Sequence, residues 1–162
     1  IGSGLVGSEM CIRDRIRGVI NSSAILLNQN EITLDFTQQE PLYAWADEFK
    51  VEEVVTNYLS NAIHHAEGEK RIDISCVQKG DKVRVSVFNT GNPIPEEDVD
   101  NIWIKFYKVD KARTREYGGS GIGLSIVRAI MDSFHQKCGV INHEDGVEFW
   151  FELETNNGNF FS

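Results

Sequence analysis

Cysteine is scarce in this 162-residue chain: Cys11, Cys76 and Cys138 are the only three. The count is odd and no two form a C-x-x-C pair. That leaves a disulfide framework without support. A reducing setting fits best, with Cys76 and Cys138 acting as small buried apolar side chains. Long apolar runs are missing too. None approaches the roughly 18–20 residues that a membrane-crossing helix needs, so these residues read as a soluble unit. Positive charge is in short supply: 16 Lys and Arg stand against 25 Asp and Glu, a net charge of −9. General nucleic-acid binding is thereby disfavoured, because phosphate neutralisation needs clustered basic side chains. Basic residues do gather once, at Lys108, Lys111, Arg113 and Arg115. Such a patch on an acidic chain suits a small polyanion, or it is simply a solvated loop.

What is present is ordinary for a globular domain: 41% hydrophobic and 25% charged residues, in a length that makes one domain with a sizeable core. Residues 1–15, IGSGLVGSEMCIRDR, stand apart. Three glycines fall in the first seven positions, no period is steady, and the end of the stretch resembles one that recurs in translated sequencing adaptors. It is expected to be a non-native leader. The domain is expected over residues 16–155, with 156–162 as a frayed tail.

Ile16, Val19, Ile20, Ser23, Leu26 and Leu27 recur at helical spacing, and Ile32, Leu34 and Phe36 alternate as in a half-buried strand. Leu42–Ala46 could add a short strand. Asp47 can cap a helix whose apolar face is Val51, Val54, Val55, Tyr58, Leu59, Ala62 and Ile63. Ile72, Ile74 and Cys76 alternate up to a Gly80–Asp81 turn, and Val83, Val85 and Val87 alternate on the way back, which predicts a hairpin. Pro93-Ile94-Pro95 breaks the chain before a short helix expected over Glu96–Ile104. Lys105–Gly119 is polar and irregular. Gly121–His135 is helical by its Ile122, Ile126, Val127, Ile130 and Phe134 face. Two strands close the domain, turning at Asp145-Gly146. The sum is an α/β two-layer sandwich: a mixed sheet of about five strands covered on one face by three helices.

Three constellations carry chemistry. In N-Y-L-S-N, Asn57 and Asn61 lie one helical turn apart, on the face away from the apolar one, and His64 and His65 continue it. Asn is unfavourable inside a helix, and its amide oxygen is a hard neutral ligand suited to Mg²⁺. Alone, the pair reads equally well as a polar helix face. In N-T-G-N-P, Asn89 offers hydrogen bonds to a base edge, and Gly91 lets backbone approach a planar ligand. Alone, that is a plain turn. In G-G-S-G-I-G-L, residues 118–124, glycines open a helix whose N-terminal N–H groups suit phosphate. The stretch lacks the Lys-Ser/Thr of a P-loop and stands too late for a Rossmann unit.

The order of these motifs is more informative than any one of them. Paired Asn on a helix, N-T-G after a hairpin, the aromatic W-I-K-F-Y-K-V-D-K-A-R, then G-G-S-G-I-G-L-S: from about Val19 to Leu153 this resembles the ATP-binding catalytic domain of sensor histidine kinases. That domain shares a superfamily with DNA gyrase B, Hsp90 and MutL. The four segments are similar to its N box, first glycine box, F box and second glycine box. The N-T-G form and the F-Y-K-V-D-K-A-R run are also similar to sensor kinases of Gram-positive bacteria, including vancomycin-resistance types.

The resemblance implies a Bergerat-type fold and ATP with Mg²⁺ as ligands. It implies that Asn61 holds the metal between the phosphates, with Asn57 contacting phosphate or ordered water. His64 and His65 would line the phosphate and ribose side. His64 departs from the common Lys or Arg there, which makes its charge depend on pH near neutrality. Asn89 stands where the family usually has Asp. It can still accept from the adenine amino group, but without a charge, so weaker adenine recognition is expected. Gly91 would lie against the base. Lys108 would meet the terminal phosphate, and Lys111, Arg113 and Arg115 would belong to a lid. Gly119, Gly121 and Gly123 would form the hinge and phosphate nest with Leu124 near the base, and Ile94 and Ile122 are likewise assigned to the pocket.

Gyrase- and Hsp90-type members carry a Glu at the first N-box position as general base. Asn57 cannot abstract a proton, so ATP would be held for a partner's histidine, with Asn57 and Lys108 positioning it. A serine kinase of the anti-sigma type, or an inactive nucleotide-binding module, is the alternative. None of His64, His65, His135 or His143 lies in the helical hairpin that carries the family's phosphoacceptor. The fragment is therefore expected not to phosphorylate itself. Its implied partners are that hairpin domain of the same receptor and a downstream response regulator. The fragment is expected to be monomeric, as the cytoplasmic domain of a homodimeric, membrane-anchored receptor.

Overall fold

Asp47 starts the longest helix. Its carboxylate accepts from the N–H groups of Phe49 and Lys50 at 2.9 and 3.3 Å, which satisfies two of the donors that every helix start leaves open. The helix runs Glu48–His65 and buries Val51, Val54, Val55, Tyr58, Leu59, Ala62 and Ile63, the apolar stripe read from the sequence. A computed structural model describes residues 8–107 and 123–155. In chain order the elements are β1 (Ser8–Cys11), α1 (Ile12–Ser22), α2 (Ala24–Gln29), β2 (Thr33–Asp35), β3 (Tyr43–Ala46), α3 (Glu48–His65), β4 (Arg71–Lys79), β5 (Lys82–Thr90), a 3-10 turn at Glu96–Asp98, α4 (Gly123–Ser133), β6 (Cys138–His143) and β7 (Gly146–Glu154).

The sheet order is β1-β3-β7-β5-β4-β2, with β6 also paired to β7. Among the described strands only β2 and β4 run parallel. Lys79 faces Lys82 across the β4–β5 hairpin, and Gly80 takes the turn at φ +60°, a conformation glycine adopts without steric cost. Val83, Val85 and Val87 point inward with Ile72, Ile74, Val147, Phe149, Phe151 and Leu153, all buried. Tyr58 fastens α3 to this face. It is fully buried, its ring lies 5.4 and 6.0 Å from those of Phe149 and Phe151, and its hydroxyl donates to the Trp150 carbonyl at 2.9 Å. α4 adds Val127, Ile130 and Met131 to the same core. The α/β sandwich expected from the sequence is the one observed.

Three expectations are corrected in detail. The described sheet has seven strands rather than about five. One strand not expected, β1, comes from the segment read as foreign: Ser8–Cys11 pairs with β3, and Met10 and Ile12 enter the core. An open sheet edge accepts any extended apolar segment, so this pairing does not bear on where those residues come from. Residues 16–29 form two helices, because the Ser23 N–H is shared between the Val19 and Ile20 carbonyls at 3.0 Å each and the turn tightens. The helix expected over Glu96–Ile104 is a 3-10 turn followed by further tight turns. So few residues cannot sustain a helix alone. Instead buried Asp98 accepts from the Tyr107 hydroxyl, and Trp103 packs edge-on against Phe149 at 5.9 Å. No helix among the described residues is long and apolar enough to cross a membrane.

Half-buried thiols and a buried phenol make the fold sensitive to alkali. Burial, aided by the nearby Cys11 thiol, pushes Cys76 up to about 12. Burial, followed by Cys138, raises Tyr58 well above its ordinary value, and burial raises Cys138. Above the ordinary thiol value of 9.0 the unfolded chain releases protons that the native chain retains. Stability then falls as pH rises. Urea midpoints are expected to be flat up to pH 9 and to drop steadily towards pH 12. A flat profile across that window would exclude these groups as the cause.

Candidate functional site

The described parts of the three motif segments meet along α3. Asn57 and Asn61 are half-buried on one face of α3, while His64 is exposed and His65 half-buried. The Asn57 amide nitrogen donates to the Glu53 carbonyl at 2.9 Å, which turns its oxygen towards α4. A methyl group on Gly123 would lie 3.0 Å from that oxygen. The N box and the end of the second glycine box are therefore in contact, although 66 residues separate them in the chain.

The first glycine box meets the other end of α3. Gly91 has φ +148°, and a methyl group there would stand 2.9 Å from the His65 carbonyl oxygen. Both facts require glycine. The sequence assigned Gly91 to a planar ligand; the structure shows that the helix end already demands it. Asn89 is 2% exposed. Its amide nitrogen donates to the Thr90 carbonyl at 3.0 Å, so the oxygen is the atom left to accept, as adenine recognition requires. Ile94 and Leu124 pack against the core beside these segments. Lys108, Lys111, Arg113, Arg115, Gly119, Gly121 and Ile122 lie outside the described residues.

Three residues passed over in the sequence hold the site together. The Thr90 hydroxyl donates to the Glu67 carbonyl at 2.8 Å and accepts from the Arg71 N–H at 3.0 Å, which stitches the loop after α3 to β5. Asn142 on β6 hydrogen-bonds both backbone groups of Ile94, at 2.8 and 2.9 Å. Gly146 comes so close to the Asn89 carbonyl oxygen that a side chain would overlap it. The one available signal was Asn142, a polar residue at an inward position of the alternation Cys138, Val140, Asn142.

Among the described residues no group of three or more His, Cys, Asp or Glu side chains could hold a metal ion. A lone half-buried amide oxygen such as Asn61 Oδ1 fits a cation that brings most of its own ligands. Mg²⁺, sharing phosphate oxygens and keeping waters, is such an ion.

The sequence profile described as "Histidine kinase-, DNA gyrase B-, and HSP90-like ATPase" matches residues 46–157. The chain belongs to this ATPase family. Within it, the domain is similar to sensor protein IrlS of Burkholderia pseudomallei, at 39% identity over 110 residues, 67% of this chain and 24% of that protein. The domain thus spans about a quarter of that relative's length. In structure it is similar to the nucleotide-free catalytic domain of histidine kinase ThkA, with TM-score 0.82 and 34% identity over 92% of this chain and 95% of that one. It shares its fold with full-length ShkA in complex with AMPPNP, at TM-score 0.78 and 24% identity over 92% of this chain and 31% of that one. The ATPase-family resemblance read from the four motifs is therefore confirmed, and with it the fold.

Proposed function

We propose that the chain holds Mg·ATP and presents its terminal phosphoryl group to a histidine on a separate helical hairpin of the same receptor, with a response regulator downstream. The observation that carries this reading is Asn57. It occupies the N-box position that packs against the second glycine box, and it is an amide, not a carboxylate. An amide cannot take a proton from water, so the site supports positioning rather than hydrolysis. The similarity to proteins described as a sensor protein and a histidine kinase supports the same direction.

Each residue then has a stated task. Asn61 contributes one metal-directed oxygen, and Mg²⁺, when bound, neutralises charge between the phosphates. Asn57 holds phosphate or water beside α4. Asn89 accepts from the adenine amino group, with Gly91, Ile94 and Leu124 around the base. His64 and His65 flank the phosphate and ribose side. Lys108 and Arg113, with Gly119, Gly121, Ile122 and Gly123, complete the phosphate side. The nucleotide-binding unit is residues 16–155; 1–15 is a non-native leader, of which residues 8–12 pack onto the fold, and 156–162 is a tail. It acts as the monomeric cytoplasmic piece of a homodimeric, membrane-anchored receptor.

Incubation with Mg²⁺ and ATP labelled on the terminal phosphate tests this. The chain alone should acquire no stable label and release little phosphate, and label should appear on the histidine hairpin when that domain is added. Stable phosphohistidine in this chain, or rapid phosphate release, would overturn the reading.

A further inference from the structure

We infer that the β6–β7 hairpin sets the loop that binds the base, and that Asn142 is its positioning residue. This rests on the nucleotide reading above and names what holds Asn89 and Gly91 in place.

The loop leaves β5 at Thr90, where the ladder to β7 ends at Gly146. Beyond that point it runs Gly91-Asn92-Pro93-Ile94-Pro95. Prolines have no N–H to donate, so Ile94 carries the only backbone donor between Asn92 and Glu96. Asn142 takes it. Its Oδ1 accepts from the Ile94 N–H at 2.9 Å, and its Nδ2 donates to the Ile94 carbonyl at 2.8 Å. One side chain thereby satisfies both backbone groups of the residue between two prolines, as a neighbouring strand would.

The same hairpin makes two more contacts. The Gly91 N–H donates to the Asp145 carbonyl at 3.0 Å. Gly146 abuts the Asn89 carbonyl with no room for a side chain between them. The stretch Asn89–Ile94 is thus held at its start, middle and end by residues 142–146. Thr90 and the end of α3 support only its first part. Beyond Gly91, Asn142 hydrogen-bonds the loop at Ile94, which also packs against the core.

Both hydrogen-bonding groups of Asn142 are committed to Ile94, so it acts on nucleotide through the loop. Removing it frees the loop beyond Gly91, so that Ile94 shifts relative to the base while Asn89 stays registered against β7. The phosphate side, built from α3 and the second glycine box, should be little affected. The signature is a loss of base discrimination rather than a uniform loss of affinity.

The test is competition of Mg·ATP and Mg·GTP against a fluorescent ATP analogue, for the wild-type chain, N142A and N142D. The wild type should prefer ATP. N142A should bind ATP about tenfold more weakly, the worth of one to two neutral hydrogen bonds, with GTP affinity nearly unchanged. N142D keeps the acceptor for the Ile94 N–H and loses the donor, so it should fall between the two. If N142A does not fold, N142D against wild type gives the same reading. A wild-type chain that binds no nucleotide would refute the proposed function and this inference together. A wild type that prefers ATP, with variants that keep that preference or lose both nucleotides equally, would overturn the positioning role alone.

Discussion

Asn61→Ala is expected to weaken binding of an ATP analogue ten- to a hundredfold in the presence of Mg²⁺, and to change it little when the metal is chelated. Loss of a group that supports a bound metal commonly costs on the order of ten- to a hundredfold in affinity. Asn61 is half-buried and stands one turn beyond Asn57 on the polar face of α3. The residues that tie the helix to the core, Tyr58, Leu59, Ala62 and Ile63, are its neighbours, not Asn61 itself. Alanine is also the better helix former, by a few tenths of a kcal/mol or more. The variant should therefore fold at least as well as the parent, and lost binding cannot be assigned to lost structure. Paired calorimetric titrations, with Mg²⁺ and with chelator, decide the matter. Equal losses under both conditions would refute the metal role and leave Asn61 as a polar helix position.

Gly146→Ala should damage the fold and the base loop together. Nothing in the backbone conformation forbids alanine there; the obstacle is space. Its methyl group would overlap the Asn89 carbonyl oxygen and stand 2.7 and 2.8 Å from ring carbons of Phe88. The Phe88 ring can turn, at some cost to its edge-on contact with His143 at 5.6 Å. The carbonyl cannot, because Asn89 and Thr90 are registered against Val147 and Gly146 in the central ladder. Overpacking of this kind costs about 1–3 kcal/mol. In a chain of this size that lowers the melting temperature by roughly 3–10 °C. Adenine affinity should fall further than stability alone would account for, because the displaced atom belongs to the residue assigned to the base. An unchanged melting temperature and unchanged affinity would show that the strand ends yield more easily than this geometry suggests.

Much of the framework could be read directly from the residues. The stripe on α3 came through without error because Val51 to Ile63 repeats at three-and-four spacing and Asp47 marks the start. The β4–β5 hairpin was legible because Val83, Val85 and Val87 alternate after a Gly-Asp turn. Residues 96–107 were not legible. Their apolar positions look helical, but their conformation depends on Asp98, which accepts from Tyr107, and on Trp103, which reaches Phe149 on β7. β1 was missed because its partner, β3, meets β7 at a single register position, Trp45 opposite Glu154. No local pattern announces such an edge.

The family and the α/β class were legible in the residues alone, which also marked Asn57, Asn61, Asn89 and Gly91 as candidates. Those rest on local periodicity and on the order of motifs along one chain, both of which are one-dimensional. How the motifs meet is set in three dimensions. It set Gly123 against Asn57, Gly91 against the end of α3, and residues 142–146 under the base loop. Those contacts depend on which strands pair and in what register. Register is settled by the burial of a whole sheet face at once, so no short stretch of sequence contains it.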